Sequence, residues 1–458
     1  MAVRKHDRPG RQHPRRSLLV LIALCGSGVV RADLPEFGPS TLDQNFFRGN
    51  RFGWMDFDSI DAQVSWPTAA DPDIPTSRFT PYVGGRVVSD DNLYRLPAAN
   101  LVPGTVSIKS RSDVISTVSA GIDGHLIESG ESLELAARVD ENRYAHNASL
   151  DNTSASAGLL GQYTLGSRVS GELGASYDYQ LTQFGRYYVL TSDFLIPKDL
   201  FTTYRYFAVT HVRVGSGWQL TAEATQVKTS HTDDPLDKYR GTSGVLSAEY
   251  NTPRGTSVTV AYRVENGRYG IPGFINDVIP FDRNFQERTA SVRIAAPLGG
   301  RVFAAATGGY VTHDYPGDSA NFDFAGAIWD VSLAVETGGK SQLLLTSARR
   351  VYAYVDAQSE YFVSQASRVI ARWAPTSKFT SELQLSREAQ RFLGPNPSTA
   401  TFLVPQHTVI RFATINLAWS ISRSLQMLVS YRLTSRNSNA PVFAYDDNLI
   451  TASLQARF

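Results

Sequence analysis

Read backwards from its last residue, the chain sets Phe458, Ala456, Leu454, Ala452 and Ile450 on one face and Arg457, Gln455, Ser453 and Thr451 on the other. A period of two marks a β-strand, whose successive side chains point to opposite sides of the sheet. The same alternation recurs upstream. Val169, Leu173, Ala175, Tyr177, Tyr179 and Leu181 oppose Ser170, Glu172, Ser176, Asp178 and Gln180. Val258, Val260, Tyr262 and Val264 oppose Thr259, Arg263 and Glu265, and Ala290, Val292 and Ile294 oppose Glu287, Thr289, Ser291 and Arg293. Leu425, Met427, Val429, Tyr431 and Leu433 oppose Gln426, Ser430, Arg432 and Thr434. One such strand fits a soluble sandwich. Its repetition across 79–458 predicts an all-β fold, a transmembrane antiparallel β-barrel with its apolar face outward.

The connections give the barrel a direction. Short stretches containing Gly, Pro or Ser recur at 128–131, 165–168, 215–217, 252–255, 297–300, 338–340, 375–377 and 420–423. Longer polar stretches lie near 90–111, 184–200, 230–240, 268–284, 313–321, 353–359, 392–403 and 435–446. Outer-membrane barrels keep short turns on the periplasmic side and long loops outside, so the pattern predicts about 18 strands with both barrel ends in the periplasm. About 16 strands follow if the weaker patterns at 79–89 and 340–352 are left out. Trp218, Trp373 and Trp419 fall beside short turns, where an interfacial aromatic belt would sit.

Composition leaves this picture standing. The chain is 42% hydrophobic and 19% charged, with mean hydropathy −0.20, which excludes a bundle of membrane helices. Strands that alternate outward-apolar and inward-polar average to that neutral value. Residues 1–32 read as a secretory signal peptide that is removed. Arg4, Lys5, Arg8, Arg11, Arg15 and Arg16 precede an apolar core from Ser17 to Val30, and Val30-Arg31-Ala32 offers a cleavage site. Leu24 stands where a lipid-modification site would want a small residue. Cys25 is the single cysteine, so the processed chain is expected to have no disulfide or thiol chemistry. Loss of the basic leader turns a net charge of +1 acidic, which excludes a nucleic-acid binder. Residues 33–78 do not alternate and are rich in Asp, Pro and Phe. They are expected to be a periplasmic lead-in, a plug segment or a linker.

No Gly-x-Ser-x-Gly elbow, His-x-x-x-His pair or phosphate loop is present. No catalytic residue, cofactor or metal is expected, and His125 and His211 read as inward hydrogen-bonding groups. A barrel enzyme acting on lipid or peptide would need a histidine, an acid and a nucleophile gathered at the rim. The informative surface is the inward face. The candidates for lining it are Arg138, Glu172, Asp178, Arg213, Arg263, Glu265, Arg293, Asp330, Arg368, Arg372 and Arg432. Both signs occur, so no single-sign selectivity ring is expected. The set serves either as cross-strand ion pairs or as a polar passage for a hydrophilic solute such as a sugar.

Asp90, Asp91 and Asn92 favour a turn as the first strand ends. Asp91-Asn92-Leu93-Tyr94-Arg95 is followed by Arg111-Ser-Asp-Val-Ile-Ser-Thr-Val-Ser-Ala-Gly121, then by Arg143-Tyr144 and Leu150-Asp151. This order resembles the EpsL-like outer-membrane proteins, a β-barrel porin family found beside exosortase/PEP-CTERM exopolysaccharide loci. The resemblance spans roughly 79–458 and is strongest over 80–185. It implies an outer-membrane pore or export component for exopolysaccharide. Its partners would be outer-membrane lipid, the barrel assembly machinery, the polysaccharide and periplasmic export components. The terminal strand ending on Phe458 resembles the assembly signal of Gram-negative outer-membrane proteins. A general diffusion porin and a plugged structural or adhesive barrel are the other readings. A TonB-dependent transporter is disfavoured, because 33–78 is too short for its plug domain.

Overall fold

The computed structural model describes residues 78–97, 109–128, 131–182, 184, 198–232, 238–270, 273–275, 279–282, 284–317, 323–337, 340–353, 361–393 and 406–458. The first half of the barrel runs through β1 (Arg78–Asp90), β2 (Asp113–Glu128), β3 (Glu131–Tyr144), β4 (Asn152–Leu165) and β5 (Val169–Leu181). It continues through β6 (Leu200–Val214), β7 (Trp218–His231), β8 (Tyr239–Asn251) and β9 (Ser257–Tyr269). A small hairpin, β10 (Gly273–Ile275) with β11 (Ile279–Phe281), leads to β12 (Phe285–Gly299), β13 (Val302–Asp314), β14 (Phe324–Thr337) and β15 (Ser341–Ala353). Then come β16 (Tyr361–Thr376), β17 (Phe379–Leu393), β18 (His407–Ser420), β19 (Leu425–Ser438) and β20 (Tyr445–Arg457).

Every barrel strand pairs antiparallel with its neighbours in one 18-stranded sheet. The sheet closes where β1 meets β20, from Tyr82↔Arg457 to Asp90↔Leu449. Closure leaves no strand edge unpaired, which is the condition for placing a sheet in lipid. The first strand begins at Arg78, one residue before the expected boundary. The expected signal peptide at 1–32 and the segment 33–77 lie outside the described residues.

The faces fall as the alternation requires. Leu173, Val260, Ile450 and Leu454 are exposed on the outside, at 55%, 55%, 52% and 47%. Thr259, Arg263, Glu265, Thr451 and Gln455 are buried on the inside. Trp218, Trp373 and Trp419 stand about half exposed on the outer surface at the short-turn end, an aromatic belt in place. That end also holds the start of β1 and the end of β20, as expected for an even strand count.

Glycine makes the short turns possible. Gly166 and Gly217 have φ of 64° and 93°, in the left-handed region that favours glycine. At Gly217 a Cβ would also lie 2.7 Å from the Asn251 carbonyl oxygen. Inside the wall, rings cover paired glycines: Phe207 lies over Gly174, and Phe285 over Gly267. One connection at the long-loop end was not expected from the sequence. Between β3 and β4 the chain makes a short 3-10 turn at Ala148–Leu150.

Candidate functional site

The lumen is the candidate site, and its charged side chains fall into two walls. On β9 and β12–β20 most inward charges are buried, and several meet in pairs. Arg263 pairs with Glu265 and lies 3.3 Å from Glu287, whose other oxygen meets His313 at 3.1 Å. Asp330 meets Arg350 at 3.5 Å, Arg372 meets Glu382 at 3.0 Å, and Arg432 lies 3.8 Å from Asp447. Arg293 is buried in this wall, and the Arg368 guanidinium lies 6.0 Å from the centre of the Phe412 ring. On β3–β8 the inward acids are half-buried. Arg138 pairs with Asp140 at 2.7 Å, and Glu172 takes a hydrogen bond from Gln162. Asp178 also lines this wall.

Arg213 stands near the end of its strand. Its parity on β6 is inward, but it is exposed beside the 215–217 turn. Arg350, Glu388 and Arg436 belong to the buried wall and were missed. Arg349 and Arg350 are adjacent arginines on a weakly alternating strand, so parity gave no choice between them. Phe458 follows the last strand. It is 72% exposed, and its amide donates to the Pro81 carbonyl at 2.9 Å.

The long-loop end carries a second constellation, built from the residues that follow β1. Arg95 reaches Asp90 at 2.9 Å and Asp447 of β20 at 2.8 Å, all three nearly inaccessible. Its backbone sits at φ 55°, strained for a non-glycine residue and held by those ion pairs. The Asn92 amide donates to the carbonyls of Leu96 and Asp446 at 3.0 and 2.8 Å, and its oxygen accepts from Arg111 at 3.1 Å. Leu93, Tyr94 and Leu96 pack with Leu150 and Phe184. Tyr94 meets Phe184 edge-on at 4.8 Å. Burial, with Asp113 nearby, pushes the Tyr94 phenol up to about 12. Asp113 in turn accepts from the amides of His146 and Asn147. Asp151 accepts the Tyr144 amide at 2.7 Å, and this bond, with Arg143 at 3.1 Å, holds its carboxyl below the usual range.

The residues of the quoted motif thus assemble into one latch across the seam of β1, β2 and β20. Asp90, Asp91 and Asp447 bring carboxylate oxygens within 4.8 Å of one another. Arg95 supplies the positive charge there, and the Asn448 side chain binds Asp91.

Among the described residues of the rim, His231, Asp199 and Thr182 form a histidine–acid–hydroxyl set. His231 lies 2.6 Å and the Thr182 hydroxyl 2.5 Å from the same oxygen, Asp199 Oδ2. A nucleophile must be offered to the imidazole, not to the acid behind it. Here both groups bind the carboxylate, which clamps the two ends of the 182–199 connection to β7. His211 bonds Thr221 at 2.8 Å, the hydrogen-bonding role expected of it. His125 is exposed near the short-turn end.

Solved structures give distant similarities. OpdK of Pseudomonas aeruginosa, solved with vanillate, is 9% identical with TM-score 0.45, over 83% of this chain and 99% of that one. A BenF-like porin from Pseudomonas fluorescens is 8% identical with TM-score 0.45, over 83% and 99%. The siderophore receptor PirA of Acinetobacter baumannii is 8% identical with TM-score 0.44, over 84% and 81%. No protein-family model and no curated protein matches the chain.

Proposed function

We propose that this chain is an outer-membrane pore for small hydrophilic solutes. One observation carries the reading: a closed 18-stranded barrel with apolar residues outside and ionised and hydroxyl side chains inside. An eight-stranded barrel is filled by its own side chains, whereas 16 to 18 strands enclose a wider interior, in porins an aqueous channel. Direction follows from the connections, with short turns in the periplasm and the latch outside. Passage of a secreted exopolysaccharide is the narrower form of this proposal and rests on the sequence resemblance. The assembly machinery would be a partner through the terminal strand, and the signal peptide would be removed on the way.

Single-channel recording in planar bilayers tests both forms, with the full processed chain and with a chain lacking residues 33–77. Discrete conductance in either form supports a pore. Conductance that appears only in the shortened chain assigns 33–77 a plugging role. Block by soluble polysaccharide supports the export reading. Silence in both forms removes the pore and leaves a structural barrel.

A further inference from the structure

The inward charges are mixed in number but not in place, and that distinction bears on which ions the lumen admits. On the wall of β3–β8 the inward acids are Glu134, Asp140, Glu172, Asp178, Glu223 and Glu249, all half-buried. Cross-strand pairing places them on the inner face: Glu172 is level with Val209, and Val209 with Glu223 on the next strand. Neighbouring strands lie about 4.8 Å apart, so Glu172 and Glu223 stand about 10 Å apart along one row. The arginines of this wall are Arg138, matched to Asp140, Arg205, which is buried, and Arg213, which is out at the turn end.

Glu134, Glu172 and Glu249 have no ion-pair partner among the described residues. The bonds of Glu172 and Glu249 come from neutral groups: Gln162 for Glu172, and Asn251 at 2.6 Å and Thr259 at 3.3 Å for Glu249. The facing wall sets several of its buried arginines against acids, Arg350 against Asp330 and Arg432 against Asp447. A buried pair presents little net charge to a passing ion. A half-buried carboxylate with neutral neighbours has no counter-charge beside it to cancel its field, and low-dielectric walls focus that field.

We infer that the β3–β8 wall makes the pore cation-preferring, with Glu134, Glu172 and Glu249 as the residues that set the preference. The inference rests on the pore reading above. Charge selection in pores arises from such side chains, and it acts over a Debye length of about 10 Å at 0.1 M salt. It therefore strengthens as salt is diluted.

The test is the reversal potential of the wild-type protein across a potassium chloride gradient, repeated for Glu134→Gln, Glu172→Gln and Glu249→Gln combined. Folding of the variant is checked by its heat-dependent shift on a gel, and Glu172→Gln alone is the second variant. The expected result is a potassium-to-chloride permeability ratio severalfold above one, larger in dilute salt, that falls toward one in the triple variant and part-way in the single one. A conducting wild type with no preference, or one for chloride, would overturn the inference while leaving the pore. So would a folded triple variant with the wild-type ratio. A silent wild type would overturn the pore reading, and this inference with it.

Discussion

At the scale of single residues, the two faces of one strand predict opposite outcomes for the same change. Leu173 and Ser176 lie three positions apart on β5, one outward and one inward. Leu173→Arg puts a guanidinium into lipid at a cost of about 2–4 kcal/mol near the midplane. Ser176→Arg faces a polar interior and keeps the barrel folded. The fraction of heat-modifiable, membrane-inserted protein separates the two, and equal insertion would refute the face assignment. Asp151 gives a residue-scale pH dependence. Its carboxyl is held below the usual range by the Tyr144 amide and Arg143, so the stabilisation is present above the ordinary carboxylate range and lost as pH falls through the lowered value. The Tyr144 amide resonance is expected to titrate with a midpoint below that of an ordinary aspartate. A midpoint at or above that value would refute the bond.

At the scale of elements, the latch ties the stretch after β1 to β20, the strand that closes the barrel. Arg95→Ala removes the guanidinium that bridges Asp90 and Asp447, whose side chains are 3% and 0% exposed, and leaves both acids without that partner. Breaking a buried pair this way costs about 3–5 kcal/mol. The expected outcome is a lower urea midpoint for the folded barrel. Asp90→Asn combined with Arg95→Ala recovers part of the loss, because one buried carboxylate is neutralised. No recovery would mean that Asp90 and Arg95 do not act as a pair. The glycine–aromatic pairs are also element-scale devices. Gly174→Ala pushes on the Phe207 ring of the neighbouring strand, and destabilises as overpacking does, by about 1–3 kcal/mol.

At the scale of the whole molecule, assembly and passage depend on closure. β20 pairs with both β19 and β1, and the Phe458 amide extends that pairing to Pro81. Deletion of Phe458 is expected to slow insertion into the outer membrane, read as accumulation of unfolded precursor. Normal insertion would mean that the terminal ring is not an assembly signal. The charge pattern across the lumen belongs to this scale too, since no single strand contains it.

The sequence by itself determined the barrel, because a membrane imposes period-two alternation on every strand and leaves it legible residue by residue. Short turns were legible for a similar reason: glycine, proline and serine mark where the chain must reverse. The inward lining could be read wherever parity was clean, as at Arg263, Glu265 and Arg432. It could not be read at Arg350, where two arginines stand together. Only the tertiary structure decided the rest. The partners of Arg95 are Asp90, five residues away, and Asp447 at the far end of the chain, and closure alone brings the second one near. The β3–β8 wall carries an excess of inward acids that the wall facing it lacks. The two walls also differ in which charges meet across strands, and register fixes that.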